Sequence, residues 1–136
     1  MMQRFHRLAR IVVALSALMP AVSRAELPVA RPGEGFGFAE IARRHGDFAL
    51  AGVACAVTDG RAGIALFGVG STPVRARAAE AALIAGAAPG EVADAAVADL
   101  DPPADVHASA STRTRIARHL VERAVTRAQE VVRAAG

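Results

Sequence analysis

Apolar positions change rhythm twice along this chain. Phe48 to Thr58 reads FALAGVACAVT, with no polar side chain before Thr58, and Ile64 to Val69 reads IALFGV. Short unbroken apolar runs of this kind predict strands, the first covered on both faces or nearly so. Between them TDGRAG, residues 58–63, supplies an Asp-Gly pair and a further glycine, the chemistry of a tight hairpin. The two strands are expected to pair antiparallel and to need other elements over them, because a lone hairpin is at best marginal in water.

Elsewhere the spacing is helical. Phe38 to His45 predicts a short helix ended by Gly46, with Arg43, Arg44 and His45 in its last turn, against the negative end of the helix dipole. GSTPVRARAAEAALIAG predicts a second helix, capped by Ser71 or Thr72, with Pro73 in its first turn and Gly86 past its end. Val74, Ala78, Ala81 or Ala82, and Ala85 form its apolar stripe, with Arg75, Arg77 and Glu80 pointing elsewhere. A third helix is expected from Gly90 to Leu100. A proline-containing connection follows over residues 99–111, and the last helix starts near Ser109 or Ser111. There Ile116, Leu120, Ala124 and Ala128 recur every four residues, widened by Val121, Val125 and Val132. The opposite face carries Arg115, Arg118, Glu122, Arg123, Arg127 and Glu130, with Arg118 and Glu122 at ion-pairing separation. Helix, strands, then helices is the order of an α+β fold: a small antiparallel sheet packed against helices.

The N-terminal quarter follows neither rhythm. MMQRFHRLARIVVALSALMPAVSRAE has a cationic start, an apolar run from Ile11 to Met19, and small residues around Ser23-Arg24-Ala25, the parts of a secretory leader. The apolar run is too short for a stable membrane span. A competing reading takes residues 1–25 as a spurious leader, in a frame opened inside a longer gene. Residues 26–37, with two prolines and three glycines, are expected to be a linker, leaving 38–136 as the single domain.

Composition narrows the function. The formal charge is +3, yet Arg4, Arg7, Arg10 and Arg24 all lie in the first 25 residues, which hold no acid. The remainder sets twelve cations against all thirteen anions, so the body is nearly neutral and gives no electrostatic footprint for nucleic acid. Aromatics are 4 % of residues, with no Trp or Tyr, which also excludes a base-stacking platform. The lone Cys55 reads as a small buried hydrophobe rather than a metal ligand. His45, His107 and His119 fall in separate elements without ligand spacing, so no metal site is expected. No serine occupies a nucleophile elbow, and no catalytic residue is assigned. Gly33-Glu34-Gly35-Phe36-Gly37 is glycine-rich but lacks the preceding strand and the full dinucleotide pattern.

Three ordered segments carry more information than these absences. GFGFAEIARRHGDFALAGVACAV, IALFGVGSTPVRARAAEAAL and DLDPPADVHASASTRTRIARHLVERAV resemble, in sequence order, the C-terminal domain of the FAD-binding medium subunit in the xanthine dehydrogenase and carbon monoxide dehydrogenase family, the molybdenum hydroxylases. The resemblance covers roughly residues 27–133. It departs from the family at Thr112-Arg113, where Tyr-Arg is usual, and in a shorter hairpin between the first two strands. Nothing in the chain resembles the glycine-rich segments that hold the FAD diphosphate in that family.

The resemblance implies a truncated flavoprotein subunit. Its cofactor is FAD, not bound by this chain alone, and its partners are an iron–sulfur small subunit and a molybdenum-cofactor large subunit. The chain then contributes to electron transfer only beside a separate FAD-binding domain. Phe36 and Phe38 match the stretch where the family has an aromatic that approaches the flavin, with packing as the competing role. Arg43 and Asp47 match basic and Gly-Asp positions read as structural. The family implies a cytoplasmic location, against export through residues 1–25. The alternative function is a stand-alone, non-enzymatic module or a degenerate fragment.

Overall fold

The computed structural model describes residues 31–134, apart from His45 and Asp59; the leader-like segment, the first part of the expected linker and His45 lie outside the described residues. Four strands, β1 (Gly35–Ala42), β2 (Ala49–Thr58), β3 (Arg61–Phe67) and β4 (Val74–Arg75), form one antiparallel sheet in the order β1-β2-β3-β4. Three helices follow: α1 (Arg77–Ile84), α2 (Pro89–Val97) and α3 (Ala110–Ala134). The fold is α+β, as expected. All three helices lie on one side: α3 against β1 and β2, α1 against β3, and α2 between α1 and α3. The core between the layers holds Val53, Ile64, Leu66, Val92, Leu120, Val121 and Val125, all fully buried.

The first expected helix is a strand. Residues 35–42 alternate across the sheet, with Gly35 and Gly37 buried toward the helices and Phe36 and Phe38 facing out. The strand therefore takes in three residues of the expected linker. The two glycines explain why a strand prevails over the helical spacing. A Cβ on Gly35 would overlap the carbonyl oxygen of Ala128, and one on Gly37 that of Ala124, so β1 lies directly on the backbone of α3. Arg43 and Arg44 then belong to the β1–β2 turn rather than to a helix end. Gly46 adopts φ +80° there, and Asp47 accepts the Phe48 N–H at 2.9 Å and pairs with Arg43 at 3.5 Å.

The hairpin expected over 58–63 is present: Thr58 pairs with Arg61, and Gly60 takes φ +68°. The second helix begins later than its capping signals suggest. Val74 and Arg75 pair with Leu66 and Ala65 as β4, which delays α1 to Arg77 and places Pro73 outside it. That delay turns the helix, so the buried residues are Ala76, Ala79, Glu80 and Leu83 in place of the expected alanine stripe. Gly86, at φ +83°, follows the helix end as expected. Glu91 accepts the Ala88 N–H at 2.9 Å at the start of α2, with Pro89 in its first position. Ser109 caps α3, its hydroxyl accepting the Thr112 N–H at 3.2 Å. The stripe of α3 is buried at Leu120, Val121, Ala124, Val125 and Ala128, and Arg118 pairs with Glu122 at 3.4 Å.

Candidate functional site: the uncovered face of the sheet

With the helices confined to one side, the other face of the sheet is bare among the described residues. The ladder fixes what it presents. Phe36 stands beside Ala56 and Gly63; Phe38 beside Ala54, Ala65 and Arg75; Glu40 beside Gly52 and Phe67. Small residues thus floor a groove of about 630 Å3, walled by Phe36 and Phe38 on β1 and by Pro73, Val74 and Arg75 on the other side. Phe38 is 66 % exposed and Phe36 48 %. Exposed aromatics above a bare apolar floor make this face the candidate surface for docking or ligand binding. The unbroken apolar run of β2 had implied cover on both faces or nearly so; among the described residues it receives cover on one.

The rim contains one ion pair. Glu80, 6 % exposed, accepts the Ile64 N–H at 3.0 Å and holds the Arg75 guanidinium with both carboxylate oxygens, at 2.9–3.1 Å. The hydrogen bond from Arg75 holds the Glu80 carboxyl below the usual range, helped by the Ile64 N–H and opposed by burial. The same partner pushes the Arg75 guanidinium up. The charges of this pair cancel locally, so the residues lining the groove present no net charge; Glu40, exposed on the same face beside Phe67, lies outside the lining. Under the floor, burial first and the Glu80 charge second push the Cys55 thiol up to about 11, which fits a packing role.

The sequence-assigned pair, Phe36 and Phe38, therefore lies on one face and one strand, in the wall of the same groove. Phe67 also belongs to this face and was missed. Its signal was available: with β3 read as a strand, Phe67 shares parity with Gly63 and Ala65. A second missed residue lies away from the groove. Arg113 is 5 % exposed and donates to the carbonyls of Leu50 at 2.6 Å and Gly68 at 3.1 Å and to Asp105 at 2.6 Å. It ties β2, the end of β3 and the proline-containing connection to α3. Backbone N–H groups of His107 and Ala108 hold the Asp105 carboxyl below its usual range. Among the described residues no group of three or more His, Cys, Asp or Glu converges as metal ligands, and no helix is long and apolar enough to cross a membrane.

A flavin divides into a flat heteroaromatic ring and a charged phosphate tail, and the groove fits only the first. Methyl groups and glycines give it a flat floor, aromatics give it walls, and its only arginine is committed to Glu80. No glycine-rich loop at a helix N-terminus lines it to receive phosphate.

Residues 36–128 match the family model of the CO dehydrogenase flavoprotein C-terminal domain. The chain is 36 % identical over 126 residues to the 6-hydroxypseudooxynicotine dehydrogenase complex subunit alpha of Paenarthrobacter nicotinovorans, covering 84 % of this chain and 43 % of that one. It is 35 % identical over 113 residues to the caffeine dehydrogenase subunit beta of Pseudomonas sp. strain CBB1, covering 76 % of this chain and 38 % of the relative. Among solved structures it is similar to carbon monoxide dehydrogenase from Hydrogenophaga pseudoflava, with a TM-score of 0.70 and 35 % identity over 77 % of this chain and 40 % of that chain. The chain thus spans about two fifths of the length of the relatives it matches.

Proposed function

Because the chain belongs to the CO dehydrogenase flavoprotein C-terminal domain family, we propose that it supplies the docking half of a flavoprotein subunit in a molybdenum hydroxylase. The bare sheet face receives a separately folded FAD-binding domain, and Phe36 and Phe38 meet the flavin ring at that junction. The observation that carries this reading is the groove itself, apolar, flat-floored, free of net charge and walled by two exposed aromatics.

When bound in such a subunit, FAD accepts and passes on electrons. This chain's residues exclude water from one face of the ring site, present aromatic surface to it, and hold the rim rigid through the Arg75–Glu80 pair. The diphosphate is held by the other domain. Partners of the assembled subunit are an iron–sulfur subunit and a molybdenum-cofactor subunit; the names of the relatives, which are subunits of dehydrogenases, support partner subunits in general. The reading puts the assembly in the cytoplasm; recovery of a mature form beginning at Glu26 outside the cytoplasm would contradict it.

The test is co-purification. The flavin-binding portion of a related subunit, expressed as a separate chain, should co-elute with this one and the complex should show flavin absorbance. Phe38→Asp should abolish co-elution while leaving the thermal midpoint of the free chain within a few degrees. Stoichiometric FAD on this chain alone, or no association with any flavin-binding portion tried, would overturn the reading.

A further inference from the structure

Two of the three aromatics on the bare face touch each other across a strand. Phe38 is on β1 and Phe67 on β3, with β2 between them, yet their rings stack with centroids 5.8 Å apart and planes inclined by 21°. The ladder shows how this is possible. Phe67 is paired with Gly52, and Phe38 with Ala54, two residues further along β2. A Cβ on Gly52 would overlap the Phe67 ring, so that ring lies flat on the strand backbone and reaches across to Phe38. Phe38 is left largely exposed above a support that is itself half-buried.

We propose that Phe67 is a positioning residue: seated on Gly52, it fixes the ring plane of Phe38, and together they form a preformed aromatic platform for the flat face of a flavin ring. The inference rests on the reading above, in which this groove meets flavin, and adds the residue that sets the geometry. An exposed phenylalanine without a neighbour samples several rotamers, each presenting its ring differently, and ordering it on binding costs affinity. Offset stacking on a seated second ring removes that freedom before the ligand arrives. The groove's cancelled rim charge suits the neutral ring system, and its small-residue floor leaves room beside the platform.

The experiment is aromatic-region NMR on the full chain, with FMN as the probe because it carries the flavin ring without the adenosine half. Before any addition, Phe38 should show a single χ1 rotamer and cross-ring contacts to Phe67. Averaging over several rotamers would overturn the proposal regardless of any variant. On titration with FMN, ring-current shifts should appear at Phe38 and Phe67. Phe48, 96 % exposed and not among the residues that line the groove, serves as the control for unspecific stacking. Phe67→Leu should keep the thermal midpoint within a few degrees, broaden the Phe38 rotamer distribution, and raise the apparent Kd for FMN about tenfold. Phe67→Tyr should restore both. An unchanged FMN response in Phe67→Leu would remove the positioning role and leave the flavin junction standing. Absence of any response at Phe38 in the unaltered chain, or equal shifts at Phe48, would overturn the platform, while the docking of a flavin-binding domain is decided separately by the co-elution assay.

Discussion

Gly37 lies against the carbonyl of Ala124 so closely that no side chain fits between them, and Gly35 repeats the contact one turn further along α3 at Ala128. Strand and helix backbones therefore touch without intervening side chains. This contact sets the height of β1, and with it the position of Phe36 and Phe38 on the opposite face.

Gly37→Ala should therefore be among the most damaging substitutions of one methyl group. The strand or helix must shift, at a cost of about 3 kcal/mol by analogy with overpacked cores. Gly63→Ala provides the contrast. Nothing lies within 4 Å of a Cβ built there, so stability should change by no more than about 0.5 kcal/mol. The added methyl sits on the groove floor and should weaken association with a flavin-binding domain. Urea titrations of both variants and a co-elution assay of the second check this.

Removing the Glu80 side chain leaves the Ile64 N–H buried without an acceptor and frees Arg75 from the rim. Glu80→Ala should cost about 1–3 kcal/mol, the penalty for an orphaned buried donor. Glu80→Gln keeps an oxygen for Ile64 and should cost less. Chemical denaturation at pH 7 distinguishes the two.

Glu80 and Asp105 are both held below their ordinary carboxyl range in the folded chain. A depressed folded value means that stability is fully present above the unfolded values, near pH 4–4.5, and is lost as pH falls through the folded ones. The urea midpoint should be flat from pH 8 to about pH 5 with respect to these groups and decline below about pH 4.5. In Glu80→Gln the decline should be shallower, since one of the two carboxyls no longer titrates. An equal decline would show that Glu80 does not contribute.

Arg113 braces the far end of the sheet from inside α3. Replacing it with methionine leaves the Leu50 and Gly68 carbonyls without their donor and the Asp105 carboxylate without its cation. The loss should be about 3 kcal/mol, and Arg113→Lys should recover only part of it, because an ammonium cannot reproduce the planar fork. Hydrogen exchange should rise first at the ends of β2 and β3.

Cys55 should be inert in the native state. It is 4 % exposed, and a thiol raised to about 11 is ionised in only about one molecule in a thousand at pH 8. Labelling by an aromatic disulfide reagent should follow the urea unfolding curve. Fast labelling in native buffer would mean that the sheet opens locally.

The hairpin, the end of α1 and the face of α3 were legible because their signals are local: a turn dipeptide, a glycine terminator at Gly86 and a four-residue apolar repeat; α2 was expected over 90–100 and runs Pro89–Val97. The first strand was not legible. FAEIARRHG reads as a helix with a glycine stop, and what overrides that reading is the non-local approach of Gly35 and Gly37 to α3, about 90 residues away in sequence. The start of α1 was obscured in the same way by β4, two residues whose pairing with β3 cannot be inferred from propensity. Phe36 and Phe38 were singled out through the three-segment resemblance, and the family match over residues 36–128 bears out that resemblance. Phe67 and Arg113 escaped because their roles depend on which residues stand across β2 and across the sheet end.

The undressed side of the sheet sets a condition on cellular supply. Alanine and glycine under solvent, with two phenylalanines above them, form an adhesive surface on any copy that stays single. If the flavin-binding counterpart proposed above sheathes that surface, copies made in excess of it should clump or be degraded.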